Sequence, residues 1–352
     1  MQVRYVYCFC FFSPLSASIR YRMHYVLQEL AKTHRVKFAI VHPGYSFKNV
    51  LHFAKVYLSA LLFRKKNSVI IFQKIHADNL YTRSLKFLAR VRRKNTLYDT
   101  DDADYLRYPV ETMHYFMRTC SDCATGSDHL VTYLKQFNKQ VAHFTSPVIE
   151  HSHRKKQRNK NFTIGWIGEY NALGEIPSFS HVTSLNNAAF PAIKNLDFPC
   201  TLLLLGVTNE ESVLLIKKYF ADNPKVEVVT PLEIDWLNED QTYAAISNFD
   251  VGLAPLSDHE FNHAKSAFKL KQYLSCGVPA LASSIGENKK FMSDGVSGYL
   301  CDTPGEYHQN LMKLKLMSDS DYATLSKQAL ETAKNFSVKK YAEEFLAYYK
   351  AR

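Results

Sequence analysis

The strongest constraint on the fold of this chain is the alternation of short apolar runs with amphipathic segments. In the first half, the apolar runs fit buried strands at 3–12, 36–41, 69–73, 96–98 and 123–125. Helical patterns separate these runs at 20–32, 50–62, 79–93 and 128–137. Nearly all-apolar strands joined by amphipathic helices predict a parallel sheet with helices on both faces.

The second half of the chain repeats this alternation. Strands are predicted at 162–167, 201–205, 226–229, 251–253 and 279–282. Helices are predicted up to 194 and at 211–220, 239–246, 266–275, 304–317 and 321–335. We therefore predict an α/β protein of two tandem doubly wound Rossmann-like domains, 1–155 and 160–335, which face each other across a ligand-binding cleft. A last helical pattern at 338–349 fits a helix, within 337–352, that packs back on the first domain or on the second.

A polar stretch at 151–161, HSHRKKQRNKN, interrupts the alternation between the two halves. It holds five basic and no acidic side chains, which predicts a solvated linker. The alternative is a nucleic-acid-binding or nuclear-import patch. No aromatic side chain is interleaved with these charges for base stacking, so the linker fits better and we expect no nucleic-acid partner.

Charge is distributed unevenly along the chain. Residues 1–160 carry 27 basic and 10 acidic side chains, a balance of +17, although the whole chain carries only +11. This excess favours an anionic partner, such as a membrane surface. The segment 48–66, KNVLHFAKVYLSALLFRKK, fits either a helix lying on a membrane or a core helix flanked by lysines. Seven irregularly spaced cysteines fit a reducing cytoplasm.

The stretch at 264–283, AKSAFKLKQYLSCGVPALAS, carries the clearest chemical signal. On a helix that begins near Ser266, the side chains of Lys265, Lys269 and Gln272 align on one face. Two ammonium groups beside the free N–H groups of a helix start would bind a diphosphate. The alternative is an ordinary solvated helix face.

This stretch resembles the donor-binding region of GT-B glycosyltransferases, above all the large retaining family 4. Its pattern K-S-x-x-K-x-x-Q-Y-L-x-x-G-V-P-x-x-A-S is followed by Gly286 and by GVSGYL at 295–300. IGWIG at 164–168 resembles the strand and glycine turn that open the family's second domain, and FDVGLAPL at 249–256 resembles the strand before the donor helix. SASIRYR at 16–22 and YDTDD at 98–102 resemble the S-x-x-R-x-R and D-x-D-D elements of one subgroup.

The resemblance implies hexosyl transfer from a UDP- or GDP-linked sugar to a glycan or lipid-linked acceptor, with no metal and no cofactor. Together with the cysteine pattern and the basic first half of the chain, this function predicts a cytoplasmic enzyme at the inner face of the plasma membrane. Lys265 and Lys269 would stabilise the leaving diphosphate, and Asp101 would act on the acceptor hydroxyl or the reacting sugar. The other implied donor-binding residues are Gly168, Glu169, Thr230, Pro231, Leu232, Ser266, Phe268 and Gln272. The implied acceptor-binding residues are Arg20, Arg22 and Asp102.

The chain departs from the family pattern at the E-x7-E carboxylates. These positions read Ala264 and Gln272, so Glu260 or Glu169 would have to supply a carboxylate to the sugar. The alternative function is therefore a catalytically weak or inactive sugar-nucleotide-binding scaffold.

The aspartates at 99, 101, 102 and 104 also have two alternative explanations. Aspartates that follow a strand are common helix N-caps, and clustered carboxylates suit Mg²⁺.

Overall fold

The computed structural model describes residues 1–13, 15–155, 157–231 and 234–351. The chain divides into two compact units. The first comprises Met1–Ile149, Ala264–Ser266 and Phe336–Arg352, and the second comprises Glu150–His263 and Ala267–Asn335. Each unit contains one parallel six-stranded sheet with helices, so the predicted α/β fold class is confirmed.

The first unit has its strands in the order β2-β1-β3-β4-β5-β6. These strands are β1 Tyr5–Cys10, β2 Lys37–Val41, β3 Ser68–Gln73, β4 Thr96–Thr100, β5 Asp122–Thr125 and β6 Val141–His143. Its helices are α1 Ala17–Ile19, α2 Tyr25–His34, α3 Phe47–Leu61, α4 Leu80–Val91, α5 Glu111–Thr119 and α6 Asp128–Lys135. A π-helical segment, Arg20–His24, joins α1 to α2, and a 3-10 turn, Asp104–Leu106, follows β4.

The second unit has its strands in the order β12-β11-β10-β7-β8-β9. These strands are β7 Phe162–Tyr170, β8 Cys200–Val207, β9 Val226–Val229, β10 Val251–Ala254, β11 Ala280–Ala282 and β12 Gly298–Leu300. Its helices are α7 His181–Ser184, α8 Phe190–Lys194, α9 Glu210–Phe220, α10 Glu239–Ser247, α11 Glu260–His263, α12 Phe268–Ser275, α13 Asn288–Phe291, α14 Pro304–Leu316 and α15 Asp319–Ala333. A π-helical segment, Leu185–Ala189, joins α7 to α8.

The two sheets are wound differently. Numbered within its own unit, the second sheet reads 3-2-1-4-5-6 from its β9 edge, which is the Rossmann order, and it changes direction between β7 and β10. The first sheet reads 2-1-3-4-5-6 and changes direction between β1 and β3. Open α/β sheets bind ligands beyond the carboxyl ends of the strands at such a point. Ligand-binding residues are therefore expected in the loops after β7, β10, β1 and β3.

The C-terminal helix α16, Val338–Lys350, belongs to the first unit. Its buried face, with Tyr341 and Phe345, lies in the same apolar core as Val26 and Leu30 of α2. Backbone pairing between Val148 and Ser337 leads the chain into this helix.

The segment 151–161, predicted to be solvated, is instead packed onto the second unit. Lys155 is buried, and its ammonium lies 2.8 Å from the carboxylate of Asp250. Asp250 also accepts hydrogen bonds from the backbone N–H groups of Asn159 and Thr163. The prediction of a solvated linker is wrong here because one buried aspartate neutralises the lysine and anchors the segment.

The strands and α-helices that the sequence analysis did not predict are β6, β12, α1, α5, α11 and α13. β6 and β12 are three-residue edge strands, which are too short to produce an apolar run. Among the described residues, no helix combines the length and the apolar character needed to cross a membrane.

Candidate functional site

Lys269 lies near the N-terminus of α12, where the second sheet changes direction. Its ammonium nitrogen lies 2.9 Å from Nε2 of His181 and 5.8 Å from the ring centroid of Trp166. An ammonium has no lone pair, so Lys269 donates this hydrogen bond to the imidazole. The hydroxyl of Tyr273, one turn further along α12, accepts from the N–H of Ile167 on β7 and donates to a carbonyl of β10. The helix that carries Lys269 is thus fixed to both strands at this point.

Gly168 lets the side chain of Lys269 pass close to β7. A Cβ atom at Gly168 would lie 2.7 Å from Cε of Lys269 and 2.8 Å from Cζ2 of Trp166, and the Gly168 φ is +153°. The residue at 206 faces the same constraint, because a Cβ at Gly206 would lie 2.0 Å from the carbonyl oxygen of Gly168. Gly168 and Lys269 are both half-buried, so a glycine backbone and an ammonium group lie side by side, an arrangement that suits phosphate binding.

A pocket of about 200 Å³ adjoins this backbone. Ile167 and Leu205, which directly precede the two glycines, line its wall, and Trp236 and Pro231 form its other side. The Trp236 ring reaches the glycine backbone, since a Cβ at Gly206 would lie 2.9 Å from its Cζ2 atom. A small apolar pocket with an indole at its rim suits a planar aromatic ring such as a nucleobase.

The predicted common face of Lys265 and Lys269 is wrong. Helix α12 begins at Phe268, because Ala267 takes a left-handed conformation with φ 56° and interrupts the helix. Lys265 and Ser266 therefore lie before the helix, in the first unit, where the Ser266 hydroxyl donates to Ser146. Gln272 is on the helix but buried, and Ala264 is fully buried.

Lys265 instead joins a charged cluster in the first unit. The cluster is centred on Lys74, which follows β3 and has a left-handed backbone with φ 53°. The Lys74 ammonium lies 2.9 Å from Asp101, 2.7 Å from Asp102 and 3.4 Å from Asp104. Lys265 reaches the other oxygen of Asp102, at 2.8 Å.

The protonation of this cluster follows from its burial and its neighbours. Burial lowers the pKa of Lys74, but the three carboxylates raise it by more, so that it lies well above its ordinary value. Burial raises the pKa of Asp102, yet Lys265 and Lys74 lower it well below its ordinary range. Asp104 has its pKa raised to about 6 by burial, with Lys74 opposing and the neighbouring carboxylates adding to the rise. The cluster thus holds two ammonium groups, of Lys74 and Lys265, and one carboxyl, that of Asp104, whose pKa is raised.

This arrangement replaces both alternative explanations of the aspartates. The 3-10 turn at Asp104–Leu106 has no side-chain cap, so the aspartates do not serve as N-caps there. The centre of the cluster is occupied by the ammonium of Lys74, which supplies the charge that a Mg²⁺ ion would supply. Lys74 was missed by the motif search, although its position at the carboxyl end of a central strand is a signal for a functional residue.

Arg22, predicted to bind the acceptor, is a buried structural residue. Its side chain and that of Asp99 have no exposed surface, and the two form a paired contact, Nε to Oδ2 at 3.0 Å and Nη2 to Oδ1 at 2.5 Å. Nη1 of Arg22 also donates to the carbonyl of Phe144 at 2.7 Å. The prediction that Arg22 binds the acceptor is therefore wrong. Its guanidinium is already hydrogen-bonded inside the core of the first unit.

The remaining predicted residues that the structure describes are partly or fully exposed to solvent. Arg20 is half-buried and donates to the carbonyl of Leu15. Glu169 is exposed at the end of β7, and Glu260 is exposed on α11. Thr230 and Pro231 follow β9 and are half-buried, and Leu232 lies outside the described residues.

Because the family resemblance implies a UDP- or GDP-linked donor, replacing Gly168 with alanine is expected to weaken the binding of UDP or GDP at least tenfold. The new methyl group cannot displace Trp166, which is only 1% exposed, so it must displace the side chain of Lys269. Isothermal titration calorimetry with UDP and with GDP measures the effect. The control is Gly174→Ala, since Gly174 also has a positive φ, +74°, but has nothing within 4 Å of its Cβ position. Equal affinities in the two variants would contradict this placement of the ammonium.

No protein-family profile and no curated protein sequence matches this chain. Solved structures do match it along its whole length. HepE of Anabaena in complex with UDP-glucose has a TM-score of 0.68 at 12% identity, covering 99% of this chain and 100% of that one. Sucrose-phosphate synthase of Thermosynechococcus elongatus has a TM-score of 0.69 at 12% identity, covering 99% and 98%.

A glycosyltransferase of Rickettsia africae has a TM-score of 0.68 at 12% identity, with 99% of this chain and 98% of that chain covered. These neighbours are GT-B glycosyltransferases. At 12% identity the likeness concerns the fold alone. This chain has the GT-B glycosyltransferase fold.

Proposed function

We propose that this protein is a retaining, family 4-like glycosyltransferase. It transfers a hexosyl group from a nucleoside diphosphate sugar to a glycan or lipid-linked acceptor at the cytoplasmic face of a membrane. The observation that carries the proposal is the placement of Lys269 and Gly168 together at the change of direction of the Rossmann-order sheet. HepE, a structural neighbour with a TM-score of 0.68, was solved in complex with UDP-glucose, which favours UDP as the donor nucleotide.

The donor would lie along the carboxyl edge of the second sheet. Its base would occupy the pocket beside Trp236, and its diphosphate would lie over Gly168 against Lys269. When the bond from the anomeric carbon to the diphosphate oxygen breaks, the electron pair stays on the diphosphate. Fixed positive charge stabilises that developing charge, so lysine, and not a metal ion or another cofactor, would serve as the electrophile.

The acceptor chemistry would fall to the first unit. The acceptor oxygen forms the new bond to the anomeric carbon, and its proton passes to the departing diphosphate oxygen, which holds the electron pair of the broken bond. Asp101 offers a carboxylate for orienting that hydroxyl, and Lys74 fixes its position at 2.9 Å. Lys265 would contribute positive charge and Asp102 would hold it in place, since the two are joined at 2.8 Å.

A thermal-shift panel of nucleotides tests the donor assignment. Because binding to the native state raises the melting temperature, UDP and UDP-sugars are expected to raise it. The variant Trp236→Ala is expected to remove the response to UDP, because Trp236 lines the base pocket. No response to any of UDP, GDP or their sugars would contradict the proposal.

A non-catalytic sugar-nucleotide-binding protein is the second candidate. It is favoured by Ala264 and Gln272, which are buried and stand where the resemblance expects carboxylates. The two functions differ in turnover. UDP binding with no release of UDP from any UDP-sugar, with or without glycan acceptors, would favour the non-catalytic function.

A further inference from the structure

Helix α3 carries apolar side chains on the face opposite to its core contacts. Val56 and Ala60 are buried, whereas Phe47, Leu51 and Leu58 are between 47% and 80% exposed. The exposed residues are spaced i, i+4 and i+11, so they form one stripe along the helix. A helix at the surface of a soluble protein normally presents polar side chains there, so this stripe requires a partner.

The neighbouring helix α4 carries a second such stripe. Leu80, Phe87 and Val91, spaced i, i+7 and i+11, are all more than half exposed. The two helices pack side by side, since the rings of Phe53 and Tyr81 lie 5.2 Å apart. The two stripes therefore belong to one surface of the first unit, which we call the α3–α4 face.

Helices α3 and α4 and the segments beside them are rich in basic side chains. Apart from the buried Lys74, residues 47–94 contain 11 lysines and arginines and one acidic residue, Asp78. The C-terminal ends of the two helices meet, because Arg64 donates to the carbonyl of Lys94 and Arg92 donates to the carbonyl of Leu61. Much of this basic charge is thereby concentrated at one end of the face.

A basic pocket of about 520 Å³ opens at this end. Four exposed cationic residues line it, namely Arg93, Lys94, Arg118 and Lys139. Arg118 lies over the ring of Phe137 at 5.2 Å, and Arg93 donates to the carbonyl of Arg118, so the arginines are held in place. This basic pocket is large enough for a phosphate headgroup, and its charge is complementary to one.

We propose that the α3–α4 face docks on an anionic lipid bilayer and that the basic pocket binds a phospholipid phosphate at its edge. Apolar stripes flanked by basic residues bind membranes through both burial and charge. The inference deepens the membrane location in the proposed function, on which it rests for its biological role. It assigns the surface and the lipid chemistry that recognises it.

Vesicle flotation tests the proposal. The full-length protein is expected to float with phosphatidylcholine vesicles containing phosphatidylglycerol, and not with pure phosphatidylcholine. The double variant Leu51→Ser, Leu58→Ser is expected to weaken this binding at least tenfold. The double variant Arg93→Gln, Lys94→Gln is expected to weaken it about 25-fold, since each basic residue near the surface contributes about fivefold.

Matched controls are available on α9 of the second unit. Leu214 and Leu215 are 66% and 47% exposed, and Lys217 and Lys218 are exposed on the same helix. The double variants Leu214→Ser, Leu215→Ser and Lys217→Gln, Lys218→Gln are expected to bind vesicles as the wild type does. Equal losses in the control and test variants would overturn the proposal, as would full competition of the wild-type binding by millimolar inorganic phosphate.

The UDP thermal shift is measured on the same preparations. A response to UDP without flotation would overturn the membrane inference, and with it the membrane location in the proposed function, but would leave the proposed glycosyl transfer standing. Flotation without a response to any nucleotide would do the reverse. A preserved UDP shift in each surface variant also shows that the variant is folded.

Discussion

Replacing Lys269 with alanine is expected to lower turnover by about 10²–10³-fold, the range found when one preorganised donor to a developing anion is removed. The reason is that, in the proposed mechanism, Lys269 faces the diphosphate, on which charge builds up only as the sugar leaves. Its loss should therefore lower kcat far more than it weakens UDP-sugar binding. Release of UDP from the UDP-sugar that gives the largest thermal shift, followed with and without acceptor, measures the effect.

Two further variants separate charge at this site from packing. Lys313→Ala is the control, because Lys313 also lies in the second unit and contacts an aromatic ring, that of Tyr299 at 4.3 Å. It should keep wild-type turnover. His181→Ala should cause a smaller loss than Lys269→Ala, since His181 only holds the ammonium in place at 2.9 Å. Wild-type turnover of Lys269→Ala would contradict the diphosphate site.

The strands could be predicted from sequence because parallel central strands are buried on both faces. β1, β3 and β8 are each encoded by a short, nearly continuous apolar run, whereas the amphipathic helices alternate apolar and polar residues. Edge strands such as β6 and β12 lack this signature, since three residues create no period. The strand order could not be predicted either, because both orders produce the same alternation along the chain.

Gly168 and Lys269, which lie side by side in the structure, could be picked out because a glycine turn after a strand and a lysine at a helix start each have a local sequence signature; their role in donor binding stays a prediction. The break in the helix at Ala267 could not be foreseen, because alanine rarely adopts a left-handed conformation. Lys74 was also missed, because its contacts are not visible in the local sequence. Its role depends on a positive φ and on aspartates that follow a different strand.

Arg22 shows the limit of assigning roles by residue type, and it yields the largest expected loss of stability. Arg22→Ala is expected to lower the free energy of unfolding of the first unit by about 3–5 kcal/mol, the usual cost of removing one partner from a buried ion pair. The variant leaves the carboxylate of Asp99 and the carbonyl of Phe144 without the guanidinium that now serves both. The control Arg83→Ala breaks an exposed pair with Asp78 and should cost less than about 1 kcal/mol.

Hydrogen exchange measured by mass spectrometry on peptides covering β1 and β4 detects this loss in the first unit. Both tryptophans, Trp166 and Trp236, lie in the second unit, so their fluorescence does not report on it. Protection should fall in Arg22→Ala and remain close to wild type in Arg83→Ala.

The pH dependence of the Arg22→Ala loss distinguishes a lost charge pair from lost packing. Burial raises the pKa of Asp99, and Arg22 opposes that rise. Without Arg22 the folded-state pKa of Asp99 rises further above its value in the unfolded chain, so the folded state binds the extra proton. Stability of the variant should then fall as pH increases from about 4, the unfolded-state pKa of an aspartate, through the raised value.

The destabilisation caused by Arg22→Ala should be smallest near pH 4 and largest at pH 8. The double variant Arg22→Met, Asp99→Leu should remove this dependence, because it leaves no buried charge. A loss that is the same at pH 4 and pH 8 would mean that packing, and not the uncompensated carboxylate, accounts for it.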